Sequence, residues 1–315
     1  MQQNRRRFAK DCFLSGLSSM VACHAASALG GESKTGWIDA HVHVWTSDLV
    51  QFPLDPQFTP QQMVPVSFTD RELFDHCRPS GVDRVVLIQM NFYGLDHGYM
   101  FKVMQNNPGV FSAVALIDFQ SEELLPSDLT AKARELASQG VRGFRLHSMG
   151  DAGAWPDNPL MNALWRAAGE DGFAVCPLIN PGDIEFIKQL CQKHPDTRVV
   201  IDHFARIGLS GQVEPDRLES LCQLAKFPNV YVKTSAFYAL GKKQPPYWDL
   251  LPMIRRVLDA YGPERLMWAS DCPFQVQGEH TYQASLDLIL QHAEFLSAGD
   301  KQWLLRNTAE RVFFS

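Results

Sequence analysis

The chain has 315 residues, 45% hydrophobic and 20% charged, a globular composition rather than that of a disordered segment. Lys and Arg total 29 against 35 Asp and Glu, a formal charge of -6, so no basic surplus draws it to nucleic acid or anionic lipid. No apolar run approaches the roughly 20 residues of a membrane-spanning helix, and the 7 cysteines form neither a CxxC motif nor an even framework.

The N-terminal stretch has its own character. Arg5-Arg6-Arg7-Phe8-Ala9-Lys10 precedes a weakly apolar run from Cys12 to Ala22, and Ala25-Ala26-Ser27-Ala28 offers a small-residue cleavage site after Ala28. The basic run resembles a twin-arginine export signal. Residues 1–28 are therefore expected to be a leader handed to the twin-arginine machinery, with a periplasmic destination. A lipid anchor at Cys23 is the alternative, since Met20-Val21-Ala22-Cys23 resembles a lipoprotein box. Without the leader the basic and acidic totals fall to 25 and 34, a charge of -9. Cys77, Cys176, Cys191, Cys222 and Cys272 remain, and their apolar surroundings mark them as buried thiols.

From Trp37 onward, short β-branched runs alternate with amphipathic segments bounded by Gly, Pro, Asn or Asp. Strands are expected at Trp37–Val44, Arg84–Met90, Phe111–Ile117, Gly143–His147, Ala174–Ile179, Arg198–Asp202, Val230–Thr234 and Leu266–Ala269. Thr46–Phe68, rich in proline, reads as a loop over the barrel mouth. Asn158 and Pro159 open a helix that Gly172 stops, and helical spacing recurs over Asp183–Lys193, Asp216–Lys226 and Leu250–Tyr261. Apolar strands separated by single helices predict a parallel sheet covered by helices, and eight of them predict a closed (β/α)₈ TIM barrel, an α/β fold of one domain over 29–315. An open doubly wound sheet is the other solution, but no GxGxxG or P-loop follows the first strand.

Chemistry in such a barrel belongs at the C-terminal strand ends. In Asp39-Ala40-His41-Val42-His43-Val44 a period of two puts Asp39, His41 and His43 on one face, pointing inward, and Ile38, Ala40, Val42 and Val44 on the other, against helices. Inward polar groups need a metal or one another. His203 ends the sixth strand and Asp271 the eighth, while Arg145 and His147 share a parity at the end of the fourth. Each has a plainer reading: a turn cap for Asp271, a barrel salt bridge for Arg145, a core position for His147. Together they predict a polar cluster at the mouth.

Asp39-Ala40-His41-Val42-His43-Val44-Trp45, Gly140-Val141-Arg142-Gly143-Phe144-Arg145, Asp202-His203-Phe204-Ala205-Arg206, Lys233-Thr234-Ser235, Ser270-Asp271-Cys272-Pro273 and Asn307-Thr308-Ala309-Glu310-Arg311-Val312-Phe313 occur in the order seen in the amidohydrolase-2 group. The chain resembles that group from about Trp37 to Phe314, and its lactonase branch in the Trp after His-x-His and the Arg three residues after His203.

The resemblance implies metal-ligand positions at His41, His43 and Asp271, with His203 a ligand or acid–base group. It implies one divalent ion, zinc first, with metal-free catalysis as the other version, because the fifth strand ends in Asn180 rather than the His many metal-dependent members carry. The implied reaction is hydrolysis of an anionic or sugar-derived lactone, or a related ester. Asp271 would be general base, with His203 and Arg145 catalytic and Arg206, His147, Tyr93 and His97 around the substrate. Arg206 reads equally as a surface-loop residue, and Tyr93 and His97 as a structural lid, while Lys233 reads as half of a buried salt bridge rather than a catalytic group and Cys272 as packing rather than a nucleophile. A metal-dependent decarboxylase of the same superfamily and a decayed small-molecule-binding protein are the rival functions.

Overall fold

The structure, a computed structural model, describes residues 36–150 and 152–315. Eight parallel strands run in sequence order around one sheet: β1 (Trp37–Val42), β2 (Val82–Ile88), β3 (Phe111–Leu116), β4 (Val141–His147), β5 (Ala174–Leu178), β6 (Arg198–Ile201), β7 (Val230–Thr234) and β8 (Leu266–Trp268). All eight expected strands are present, with β2 and β4 starting two residues earlier than the apolar runs suggest. The ring closes where Val42 pairs in parallel with Cys272: the His43 amide donates to the Cys272 carbonyl at 2.8 Å and the Asp271 amide to the His41 carbonyl at 2.9 Å. This is the expected TIM barrel. The expected leader lies outside the described residues. No described helix is long and apolar enough to cross a membrane.

The helices begin and stop where local chemistry directs. In α1 (Asp70–Cys77) the Thr69 amide donates to the Glu72 carboxylate at 2.7 Å, closing a capping box. After α2 (Gly98–Asn106) and α3 (Pro126–Ser138), α4 (Pro159–Asp171) starts as the Met161 amide donates to the Asn158 side chain at 2.9 Å; it ends at Gly172, whose φ of +79° is left-handed. Next come α5 (Ile184–Lys193), α6 (Pro215–Gln223) and α7 (Leu251–Tyr261). The chain finishes with α8 (Tyr282–Asp287), α9 (Ala298–Gln302) and α10 (Thr308–Phe313).

Strand periodicity sorts the apolar residues into two layers. Val85, Leu87, Phe144, Leu146, Val199 and Ile201 face the helices. Val86, Val114, Cys176, Val200 and Met267 fill the barrel, and Val312 and Phe313 of α10 pack among them. In β1 the alternation fails, because its register on β2 shifts between Asp39 and Val42. Ile38 and Ala40 therefore join the interior, against expectation, yet His41 and His43 also turn inward.

Asp39 corrects the sequence reading in the other direction. It leaves the histidine face and is wholly buried, accepting hydrogen bonds from the Ser270 amide at 2.9 Å and the Tyr282 hydroxyl at 2.8 Å. Burial raises its carboxyl to about 6, opposed by those bonds. Asp39→Ala would strip two buried donors at the β1–β8 seam of their acceptor, and should cost about 2–4 kcal/mol by denaturant titration. A loss below about 0.5 kcal/mol would show that the seam does not depend on this carboxylate.

The loop after β1 lies along the β2–α2 connection, as expected of a mouth-covering segment. Trp45 pairs antiparallel with Phe68, the Asp55 amide donates to the Phe92 carbonyl at 2.8 Å, and the Phe58 ring meets Phe92 edge-on at 5.7 Å.

Candidate active site

Three imidazoles and one carboxylate converge at the C-terminal mouth. His41 Nε2 and His43 Nε2 lie 3.2 Å apart, and each is 3.5 Å from Asp271 Oδ1. His203 Nε2 approaches Asp271 Oδ2 at 3.7 Å. All four are buried. His43 Nδ1 sits 3.0 Å from the Ile88 carbonyl, which can only accept; the proton is therefore assigned to Nδ1, leaving the Nε2 lone pair facing the cluster. Burial, with the Lys233 ammonium, holds His41 well below the usual imidazole range. Burial alone would raise Asp271, but the neighbouring imidazoles, His203 foremost, hold it well below the usual carboxylate range. The centre thus pairs a neutral His41 with an ionised Asp271.

Beneath this centre lies a buried charge network. Lys233 Nζ is 3.0 Å from Asp202 Oδ1 and 3.1 Å from His41 Nδ1, and both Lys233 and Asp202 are fully buried. Lys233 is accordingly the inner salt bridge that one of its two readings described. Arg145 spans network and centre, with Nε 3.7 Å from Asp202 Oδ2 and Nη1 3.4 Å from His43 Nε2. Asp202 was not singled out from the sequence; its inward parity after Val200 was the available signal.

His203 and Arg206 reach the mouth through unusual backbone. His203, Phe204, Ala205 and Arg206 have φ of 51°, 52°, 54° and 60°, one left-handed turn of non-glycine residues. Such conformations cost about 1–2 kcal/mol per residue and persist where surrounding structure enforces them. The turn brings both side chains to the wall of one cleft, which explains their three-residue spacing. The Ser235 hydroxyl lies 2.8 Å from His203 Nδ1 and orients the ring, whose basicity burial lowers. Asp271 is also left-handed, at φ 65°.

The cleft, about 230 Å³, is lined by His43, Arg145, His203, Arg206, Tyr238 and Asp271 among others. The Tyr238 hydroxyl donates to Asp271 Oδ2 at 2.7 Å, and burial pushes its own ionisation far up. Tyr238 was missed, because it follows β7 in a segment without strand or helix periodicity. Where β5 faces the cleft it offers Leu178; Asn180 instead caps the following turn, its amide donating to Asp183 at 3.1 Å.

His147 borders a neighbouring cleft that shares Arg145. Tyr93 and His97 line neither cleft and are 4% and 5% exposed. The Thr46 amide donates to the Tyr93 hydroxyl at 3.0 Å, which pins the mouth loop. Cys272 is buried, with its thiol ionisation raised far up by burial, which fits packing rather than nucleophilic attack. Among the described residues all five cysteines are free and buried.

Burial lowers the His97 imidazole to about 4. A folded-state value below the unfolded one means that the unfolded chain binds the proton more readily. The stability His97 contributes is complete above about pH 6.5 and is lost as the pH falls toward 4, by up to roughly 3 kcal/mol. His97→Asn should flatten the pH dependence of unfolding free energy across that window. An unchanged slope would remove His97 from the effect.

The donor set fits a divalent ion. Two Nε2 atoms and a carboxylate oxygen at 3.2, 3.5 and 3.5 Å approximate one face of a tetrahedron whose donor–donor edge at zinc is about 3.3 Å. His203, with His41 and Asp202, forms a second grouping of close donors.

Comparison with known proteins bears on the family and the fold. The Amidohydro_2 profile, described as amidohydrolase, matches residues 38–314. An L-fucono-1,5-lactonase of Burkholderia ambifaria is 28% identical over 240 residues, 75% of this chain and 80% of its own. A putative 2-pyrone-4,6-dicarboxylic acid hydrolase from Pseudomonas putida superposes with TM-score 0.74 at 26% identity, covering 89% of this chain and 98% of the other. An amidohydrolase from Burkholderia multivorans with bound zinc superposes with TM-score 0.73 at 19% identity, covering 88% and 99%. The fold, the ordered motifs and the profile match lead to one conclusion: the chain belongs to the amidohydrolase family Amidohydro_2 and is a hydrolase of that superfamily.

Proposed function

We propose that the protein hydrolyses a small lactone, or a related carboxylic ester, that is anionic or sugar-derived. The observation that carries this is the convergence of His41, His43 and His203 on Asp271 beside two guanidinium groups in one cleft. Lactone-hydrolysing relatives support the same reading.

Asp271 takes the proton of the attacking water, and Tyr238 fixes Oδ2 so that Oδ1 faces the two Nε2 atoms. Arg145 opposes the negative charge that develops on the carbonyl oxygen, and Arg206 holds an anionic group of the substrate. Asp271 passes that proton to His203, whose Nε2 lies 3.7 Å from Oδ2, and His203, oriented by Ser235, delivers it to the leaving alkoxide as the ring opens. A carboxylate held this far below neutrality is fully ionised but a weak base. His41, His43 and Asp271 would hold a divalent ion, which, when bound, would supply the Lewis acidity that lowers the pKa of a water ligand toward about 7.

The test is elemental analysis of protein purified without chelator, followed by acid release over a panel of aldono- and pyrone-type lactones. Stoichiometric zinc with chelator-sensitive turnover supports the metal version, and turnover without metal supports the Arg–His–Asp version. Carbon dioxide release in place of a ring-opened acid would favour decarboxylation, and ligand-induced thermal stabilisation without turnover would favour a binding role.

Export through the twin-arginine pathway to the periplasm is part of the same proposal, resting on Arg5-Arg6-Arg7-Phe8. Replacing Arg5 and Arg6 with Lys should retain the protein in the cytoplasmic fraction.

A further inference from the structure

A second cleft of about 380 Å³ opens beside the first, and the two share Asn91 and Arg145. Their walls differ. The first carries the His43 and His203 imidazoles, Asp271 and Arg206, with Leu178, Leu209 and Phe274 between them. The second sets the apolar side chains of Phe58, Leu95, Leu116, Ile117, Phe119 and Met149 among polar and acidic neighbours. Phe58 is braced against Phe92, and Phe119 meets Trp155 edge-on at 5.6 Å, so these two walls are set by packing. Leu95 and Met149 are 54% and 76% exposed, apolar surface at the rim that no described residue covers, although the Met149 sulfur lies 2.6 Å from His147 Nδ1.

The charged residues at this cleft besides Arg145 are acidic. Asp118 Oδ1 accepts from the Gln120 and Ser121 amides, and Asp55 Oδ1 from the Gln57 amide. These carboxylates oppose a second anionic group at that end. Burial, together with Arg145 and Arg206, lowers His147, so it adds no lasting positive charge there.

The geometry points to a two-part substrate: an anionic or carbonyl-bearing head beside Arg145 and Arg206, and an uncharged aryl or alkyl group extending past Arg145 into the second cleft. This deepens the lactonase reading and rests on it for the reaction, although not for binding. A sugar lactone with no substituent would leave the second cleft wet. An aryl-substituted lactone would cover Leu95 and Met149 and displace water from an apolar wall.

The test separates binding from turnover. Isothermal titration of the protein as purified compares propanoate, 3-phenylpropanoate and glutarate. We expect 3-phenylpropanoate to bind at least about tenfold tighter than propanoate, from burial of its ring, and glutarate to show no such gain. In the doubly substituted Leu95→Gln, Met149→Gln protein the phenyl preference should shrink by about threefold or more. Equal affinities, tightest binding by glutarate, or a phenyl preference untouched by the double substitution would each overturn the subsite. In turnover, an aryl-substituted δ-lactone should show a lower KM than δ-valerolactone. If the phenyl preference holds but no lactone is opened, the subsite stands and the hydrolase reading falls.

Discussion

Asp271→Asn is expected to lower kcat on the best lactone of the panel by about 10³-fold or more, with the barrel still folded. The amide is nearly the same shape, so the Tyr238 hydroxyl can still donate to its oxygen. What it loses is charge and basicity. The wild-type carboxylate is ionised because three imidazoles favour the anion against the cost of burial. A neutral amide can neither take a proton from water nor hold a divalent ion as tightly. Stability moves in a separable way. A carboxyl held below its unfolded value adds stability that is present above about pH 4 and lost as the pH falls through the lower folded value. The variant should therefore melt somewhat lower at pH 7, with less acid sensitivity. Turnover within tenfold of wild type would remove Asp271 as the base. Loss of the far-ultraviolet circular dichroism signal would make it a folding residue instead.

The barrel was readable because eight β-branched runs and their punctuation repeat one physical rule: a strand buried on both faces must be apolar throughout and must be followed by a covering helix. The site was readable where parity held. Arg145 and Asp271 each continue a strand on its inward side, whereas His203 falls on the outward parity of β6, one residue past the inward Asp202, and only the left-handed turn carries it to the same mouth. Parity failed at β1, where the shift between Asp39 and Val42 sends Asp39 outward and keeps both histidines inside. A period-two reading cannot see an irregularity set by closure against β8. Tyr238 and the left-handed turn at His203–Arg206 belong to segments whose conformation depends on tertiary contacts, so no local pattern marks them. Tyr93 and His97 follow β2 in a loop whose Asn91 and Leu95 face the clefts, but their own side chains turn into packing. The apolar second cleft joins residues far apart in sequence, which only the folded chain assembles.

Lys233→Met should be the most destabilising single substitution in the barrel interior, at about 3–5 kcal/mol. Methionine matches much of the lysine stem and can fill the space beside Phe313, whose ring lies 5.5 Å from the ammonium. It cannot answer Asp202. With Lys233 gone, that fully buried carboxylate keeps only the guanidinium of Arg145 at 3.7 Å and the His41 ring at 3.4 Å. A buried charge stripped of its nearest counterion is far costlier than the pair is beneficial. Pairing Lys233→Met with Asp202→Asn should therefore recover much of the loss, because the carboxylate no longer needs a cation. The recovery should not extend to activity, since His41 Nδ1 loses the Lys233 ammonium and faces a neutral amide in place of the carboxylate that orients its ring. Urea titration of both single variants and the double variant gives the coupling directly. Additive losses, with no recovery in the double variant, would mean that Lys233 stabilises the barrel through its packing rather than through its charge.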